Sequence, residues 1–209
     1  MSFFSLQLAL DLSSSRSSAA IHRQQADESL VLLGEHFIEG QGRQSEALLN
    51  SIDTLLKTCG VQLSEIDLYV TPSGPGSFMG LRIAYSALKA WCAAFQKPLV
   101  TVGAHEVRAL DFVAHTLSPQ SFAKPITIAT QLTKELYLVS EYTLDGGALV
   151  LLKEQTLASL PENILPGCAA ELSARKLNEH WHQAQTARLL RRPEEITGAA
   201  PEYFGSKFG

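Results

Sequence analysis

Between Pro72 and Gly80 the chain reads Pro-Ser-Gly-Pro-Gly-Ser-Phe-Met-Gly, and an alanine-rich apolar segment runs on from Leu81 to Phe95. Prolines and glycines packed this densely specify a stiff, tight turn. Leu81, Ala84, Leu88, Trp91 and Phe95 then recur at alternating spacings of three and four, which predicts a helix over 78–95. A Gly-rich turn ahead of a helix can present backbone N–H groups to a phosphate. The helix itself carries more apolar surface than one core needs. Ala84, Ala87, Ala90, Ala93 and Ala94 keep it slim, and only Arg82, Lys89 and Gln96 clearly seek solvent. Two readings of it stand: a buried central helix, or a helix with one side on a sheet and another against a partner.

The pattern around this segment is α/β. Phe4, Leu6, Leu8 and Leu10 alternate with Ser5, Gln7, Ala9 and Asp11, the period of a strand with one buried face. Ser13-Ser14-Ser15-Arg16 is a turn, Ser17–His22 a returning strand, and Leu30–Phe37 a third, which makes a β-meander. Ser45 is placed to cap a helix in which Leu48, Leu49, Ile52, Leu55 and Leu56 form one stripe and Cys59-Gly60 the end. Strands are expected at Ile66–Thr71 and Leu99–Val102, on either side of the Gly-rich turn and its helix. The resulting order, βββ-α-β-α-β, calls for a mixed sheet. Further on, Glu106–His115 reads as a helix. Ile126–Thr130, Leu136–Tyr142 and Ala148–Leu152 read as strands, the last two joined by an Asp145-Gly146-Gly147 hairpin turn. Ala169–Glu179 and Thr186–Arg191 carry weaker helical patterns, and Pro201–Gly205 that of a short final strand.

Composition restricts the partners. A net charge of −4 argues against autonomous nucleic-acid binding, which needs a basic face. No apolar run approaches the roughly 20 residues that span a bilayer, and the start lacks the basic region of a signal peptide. Cys59, Cys92 and Cys168 are widely spaced and form no CxxC pair, as expected of isolated thiols in a reducing compartment. The expected location is the cytoplasm.

Few residues carry chemistry. The histidines at 22, 36, 105, 115, 180 and 182 form neither HExxH nor HxxxH. His180-Trp181-His182 offers too few ligands for a metal. The turn lacks the GxSxG nucleophile motif, the Walker A lysine and the GxGxxG spacing, so Ser77 is better explained as a helix N-cap. Asp11 is the best single candidate. A carboxylate at the end of a core strand beside a Ser-rich turn can hold Mg²⁺, or it can simply cap that turn. Ser13–Ser15 stand equally open between phosphate donors and turn residues.

Ala9-Leu10-Asp11-Leu12-Ser13, the helix opening near Ser45 and, above all, Gly74-Pro75-Gly76-Ser77-Phe78-Met79-Gly80-Leu81-Arg82-Ile83 together resemble the TsaB (YeaZ) family. Glu135-Leu136-Tyr137 is similar to that family's GEVY-type strand and Pro201-Glu202-Tyr203 to its P-x-Y segment. The chain departs from the pattern at Gln44, where a His is common, at Gln131-Leu132-Thr133, and at Phe204-Gly205.

The resemblance implies an actin/hexokinase/Hsp70-like ATPase fold of two lobes with mixed sheets. The first, 1–103, would carry the partner-binding helices; the second, 104–209, would be reduced. It also implies a non-catalytic scaffold in forming N6-threonylcarbamoyladenosine on tRNA. Such a scaffold supports a TsaD-like transferase alongside a TsaE-like ATPase, forms a homodimer when alone, and meets tRNA only through the complex. Under this reading Leu48, Ile52, Leu55, Leu81, Ala84, Leu88 and Trp91 are the expected interface. No cofactor is required; Asp11, Ser13, Gly74, Gly76 and Ser77 are where weak ATP or ADP with Mg²⁺ would touch the chain, at the partner interface. The competing expectation is a stand-alone ATP-dependent phosphotransferase of the same superfamily. A peptidase, which would need a nucleophile–base pair or a metal triad, is the remotest.

Overall fold

The computed structural model describes residues 4–14, 16–38, 44–115, 125–145, 148–160, 175–177, 179 and 190–191. The N-terminal meander is β1 (Leu6–Asp11), β2 (Ser18–Gln24) and β3 (Leu30–Phe37). Helix α1 (Gln44–Cys59), β4 (Leu68–Gly74), α2 (Phe78–Phe95), β5 (Leu99–Gly103) and α3 (Ala104–His115) follow. Then come β6 (Ile126–Thr133), β7 (Leu136–Asp145), β8 (Ala148–Leu157) and β9 (Leu190–Arg191).

One six-stranded sheet has the order β3-β2-β1-β4-β5-β9, and a three-stranded sheet the order β6-β7-β8. The first is mixed. Strands β1–β4 and β4–β5 are parallel, whereas β1–β2, β2–β3 and β5–β9 are antiparallel. The described strands of the second are antiparallel throughout.

The alternation of β1 was expected to separate core from solvent, but all six residues are buried. Leu6, Leu8 and Leu10 pack with Leu48, Ile52 and Leu55 of α1 and with Ala84, Leu88 and Cys92 of α2. On the opposite face Ala9 packs with Ala104 and Val107 of α3. A parallel sheet connected by helices is covered on both sides, so the smaller residues face a second core and not water.

Helix α2 spans the expected residues. Ser77 is its N-cap, its hydroxyl accepting from the Gly80 N–H at 3.2 Å, and Gln96 closes it in a left-handed conformation. Helix α1 begins one residue before Ser45 and ends at Cys59, where Gly60 takes φ +66°. A 3₁₀ turn at Leu63–Glu65, not foreseen, joins α1 to β4.

Leu190 and Arg191, expected in a helix, form a strand against β5. That strand, from the second half of the chain, therefore completes the first sheet. Helix α3 likewise serves both sheets, since its Ala109 and Phe112 pack with Ile126 and Ile128. The expected helix 169–179 is helical at 175–177 and 179; the remainder of it, His180–His182 and Pro201–Gly205 lie outside the described residues. Cys59 and Cys92 are free thiols, and Cys168 also lies outside the described residues. No helix among the described residues is long and apolar enough to cross a membrane.

Candidate functional site

The residues expected to touch a phosphate do converge, but on one another. Asp11 ends β1 fully buried. Its Oδ1 accepts from the Ser13 N–H at 2.7 Å and from the Ser13 hydroxyl at 2.6 Å. This is the turn-capping arrangement an Asp makes two residues ahead of its partner. The Ser77 N–H donates to the Ser13 carbonyl at 2.7 Å, which ties the first turn to the Gly-rich one.

The glycines serve the same junction. A β-carbon on Gly76 would lie 2.5 Å from the Ser13 Cβ, and one on Gly80 would lie 1.7 Å from the Leu12 carbonyl oxygen. Gly74, at φ +124°, bends the chain out of β4 in a conformation that L side chains rarely adopt. The Ser77 and Gly80 amides, which a phosphate cradle would use, are thus engaged within the protein.

The Asp11 Oδ1 already accepts two donors, and the described residues bring no group of three His, Cys, Asp or Glu together that could hold a metal.

A polar cluster that the sequence reading passed over lies on the α3 side of Asp11. Arg108 Nη1 donates to Thr130 Oγ1 at 2.7 Å. His105 Nε2 is 2.8 Å from the same Thr130 hydroxyl, and His105 Nδ1 is 2.7 Å from Ser140 Oγ. Ser140 in turn donates to Glu154 Oε2 at 2.8 Å.

Each hydroxyl has one proton to give, and that sets the direction of the chain. Ser140 gives its proton to Glu154, so it accepts from His105 Nδ1–H. His105 Nε2 is then unprotonated and accepts from Thr130, which itself accepts from Arg108. The bonds run one way, from a guanidinium to a carboxylate, through a neutral imidazole. Burial, seconded by the Arg108 charge, holds the His105 pKa down to about 3. Burial raises the Asp11 carboxyl above its ordinary value, while the bonds from Ser13 and the Arg108 charge pull it back. A histidine directly after Gly103-Ala104 at a strand-to-helix junction, with an arginine three positions on, was the available signal for this cluster.

The expected interface residues fall elsewhere than anticipated. Leu48, Ile52, Leu55, Leu81, Ala84 and Leu88 are at most 3% exposed and belong to the chain's own core. The spacing of three and four reports packing on the sheet, the bland one of the two readings for that stripe. Trp91 is half-buried and packs against Tyr69, ring centroids 6.0 Å apart. The side chains turned outward are Leu49 on α1, 63% exposed, and Phe78 and Met79 at the start of α2. Leu49, Ile52, Leu56, Val61, Leu63 and Trp91, with Asp53, Lys57 and Gln62, line a groove of about 440 Å³.

The comparisons with known proteins agree with this architecture. The family model described as TsaD: tRNA N6-adenosine threonylcarbamoyltransferase matches residues 40–179. No curated protein matches the sequence. Among solved structures, YeaZ from Pseudomonas aeruginosa superposes with a TM-score of 0.70 at 22% identity, over 96% of this chain and 100% of that one. A protein described as similar to peptidase YEAZ from Pseudomonas aeruginosa gives 0.69 at 23% identity, over 95% and 99%. The chain belongs to the TsaD family, described as tRNA N6-adenosine threonylcarbamoyltransferase, and its α/β fold is that of YeaZ.

Proposed function

We propose that this chain is a non-catalytic scaffold in the formation of N6-threonylcarbamoyladenosine on tRNA, binding and supporting a TsaD-like transferase. A place in this tRNA modification is supported by the family match over 40–179. The scaffold role is supported by one observation above the others: the groove between α1, the 3₁₀ turn and Trp91, beside a leucine left 63% exposed. An apolar surface of this kind on an otherwise well-packed domain marks a protein contact. The same surface serves self-association when the chain is alone. A TsaE-like ATPase joins the assembly, and tRNA is met only through it.

The Asp11–Ser13–Ser77 junction supports this reading over that of a stand-alone phosphotransferase, because the amides and carboxylate that would hold ATP·Mg²⁺ are engaged internally. Co-expression with the TsaD-like protein of the same cell, followed by size exclusion, tests the proposal. A stable complex is expected, together with loss of the threonylcarbamoyl group from tRNA when this protein is depleted. Absence of a complex, or fully modified tRNA after depletion, sinks it. Micromolar binding of ATP·Mg²⁺ by the isolated chain, read by calorimetry, would favour the phosphotransferase instead.

A further inference from the structure

Four hydrogen bonds run from Arg108 through Thr130, His105 and Ser140 to Glu154, and charge fixes both ends. A guanidinium can only donate and a carboxylate can only accept. The Thr130 hydroxyl, the neutral His105 ring and the Ser140 hydroxyl bring one proton each. With one from Arg108, four protons fill four contacts, so a single arrangement satisfies them all. It puts the ring proton on Nδ1. Glu154 on β8 is exposed, whereas Ser140 on β7 and His105 on α3 are at most 2% exposed. The group that closes the chain is thus at the surface, and the imidazole it governs is in the interior.

A donor in place of the carboxylate would upset the count. Five protons would then compete for four contacts, and one would be left over. Ser140 is fully buried, so an unused proton there has no partner, and a buried donor without one is costly. Thr130 is half-buried, so water can take the unused proton at that position. The arrangement that wins has Ser140 accepting from residue 154 and donating to His105 Nδ1. The ring proton then sits on Nε2 and is given to Thr130, which also accepts from Arg108. The ring stays neutral throughout; its proton changes nitrogen by exchange with solvent.

We propose that Glu154 is a positioning residue for His105: an acceptor at 154 holds the ring proton on Nδ1, and a donor there sends it to Nε2 and reverses the bonds from β8 to α3. A surface position on the second sheet thereby decides which nitrogen the ring presents to Thr130, on the helix that packs against both sheets. Which of the two nitrogens carries the proton is set by the bond the other makes. This inference stands independently of the scaffold role, because it concerns a proton inside the protomer and not its partner.

Nitrogen NMR of the ¹⁵N-labelled full chain at neutral pH tests it, since a neutral imidazole shows one protonated and one bare ring nitrogen. The His105 signals are those lost in His105→Gln. In the wild type the bare nitrogen is expected to be Nε2. Glu154→Gln keeps an accepting oxygen without the charge and should leave it so. Glu154→Lys can only donate and should make Nδ1 the bare nitrogen. In a Ser140→Ala background, Glu154→Lys should move nothing, because the link is cut. A wild-type proton on Nε2 overturns the proposal, as does an unmoved proton in Glu154→Lys. A shift already present in Glu154→Gln would assign the effect to charge, and one that survives Ser140→Ala to another route; either overturns it.

Discussion

The α-carbon of Gly80 faces the carbonyl of Leu12 so closely that a β-carbon there would lie 1.7 Å from its oxygen. The first turn of α2 is therefore seated directly on the end of β1. In an exposed helix Gly→Ala is stabilising by about 1 kcal/mol. Here the sign reverses, because the obstructing atom belongs to the backbone and cannot rotate away. Gly80→Ala is expected to lose about 3 kcal/mol or more, the range of severe overpacking. Urea unfolding reads this directly; a variant as stable as wild type would contradict the seating.

Gly34 gives the contrasting case. A β-carbon there would meet Cys59 Sγ at 2.8 Å and Leu55 Cδ1 at 3.2 Å, both ends of side chains. Gly34→Ala should lose about 1 kcal/mol, since the thiol can turn aside. Adding Cys59→Ala should recover most of the loss, and a double variant no more stable than the single one would place the strain elsewhere.

His105 makes stability depend on pH in a stated direction. The folded chain keeps it neutral down to about pH 3, whereas its ordinary value is 6.5. Between these values the unfolded state binds the extra proton. Its contribution is thus complete above pH 6.5 and is lost as pH falls toward 3, at up to about 1.4 kcal/mol per unit. Midpoints measured from pH 7 to 4 should fall more steeply for wild type than for His105→Gln. Parallel profiles would mean that the imidazole is not held neutral.

Partner binding is best probed at Leu49. Being 63% exposed, it can become Leu49→Asp with a change in stability within about 0.5 kcal/mol, while pairing through the groove is lost. Retained pairing would move the interface off this groove. Leu88→Arg cannot serve the same purpose. Leu88 is fully buried between α2 and the sheet, and a charge there costs several kcal/mol, roughly, and unfolds the protomer.

Much of the fold was legible in single residues. The span of α2 follows from the Gly-rich turn, the Ser77 cap and the stripe from Leu81 to Phe95. The span of β3 follows from the apolar run between two turns. These are local signals, carried by residues within a few positions of one another. Strand β9 was not legible, because two residues make a strand only when a partner edge is offered, and β5 offers it from far along the chain.

The candidate site divides in the same way. Asp11, Ser13, Gly76 and Ser77 could be picked out by type and spacing. That they cap and brace one another, with no amide of Ser77 or Gly80 left for a phosphate, depended on how closely two turns approach in space. The apolar stripes of α1 and α2 were plain in the sequence. Which side of each stripe is core and which is surface was decided by the sheet they cover: periodicity measures how much a helix must bury, not against what. Arg108, His105, Thr130 and Ser140 lie on three elements, so only packing α3 between the two sheets brings them together. Sequence alone determined most of the helices and strands and the family resemblance. Tertiary structure decided where charge and apolar surface end up, because burial and hydrogen-bond direction belong to the neighbours that folding supplies.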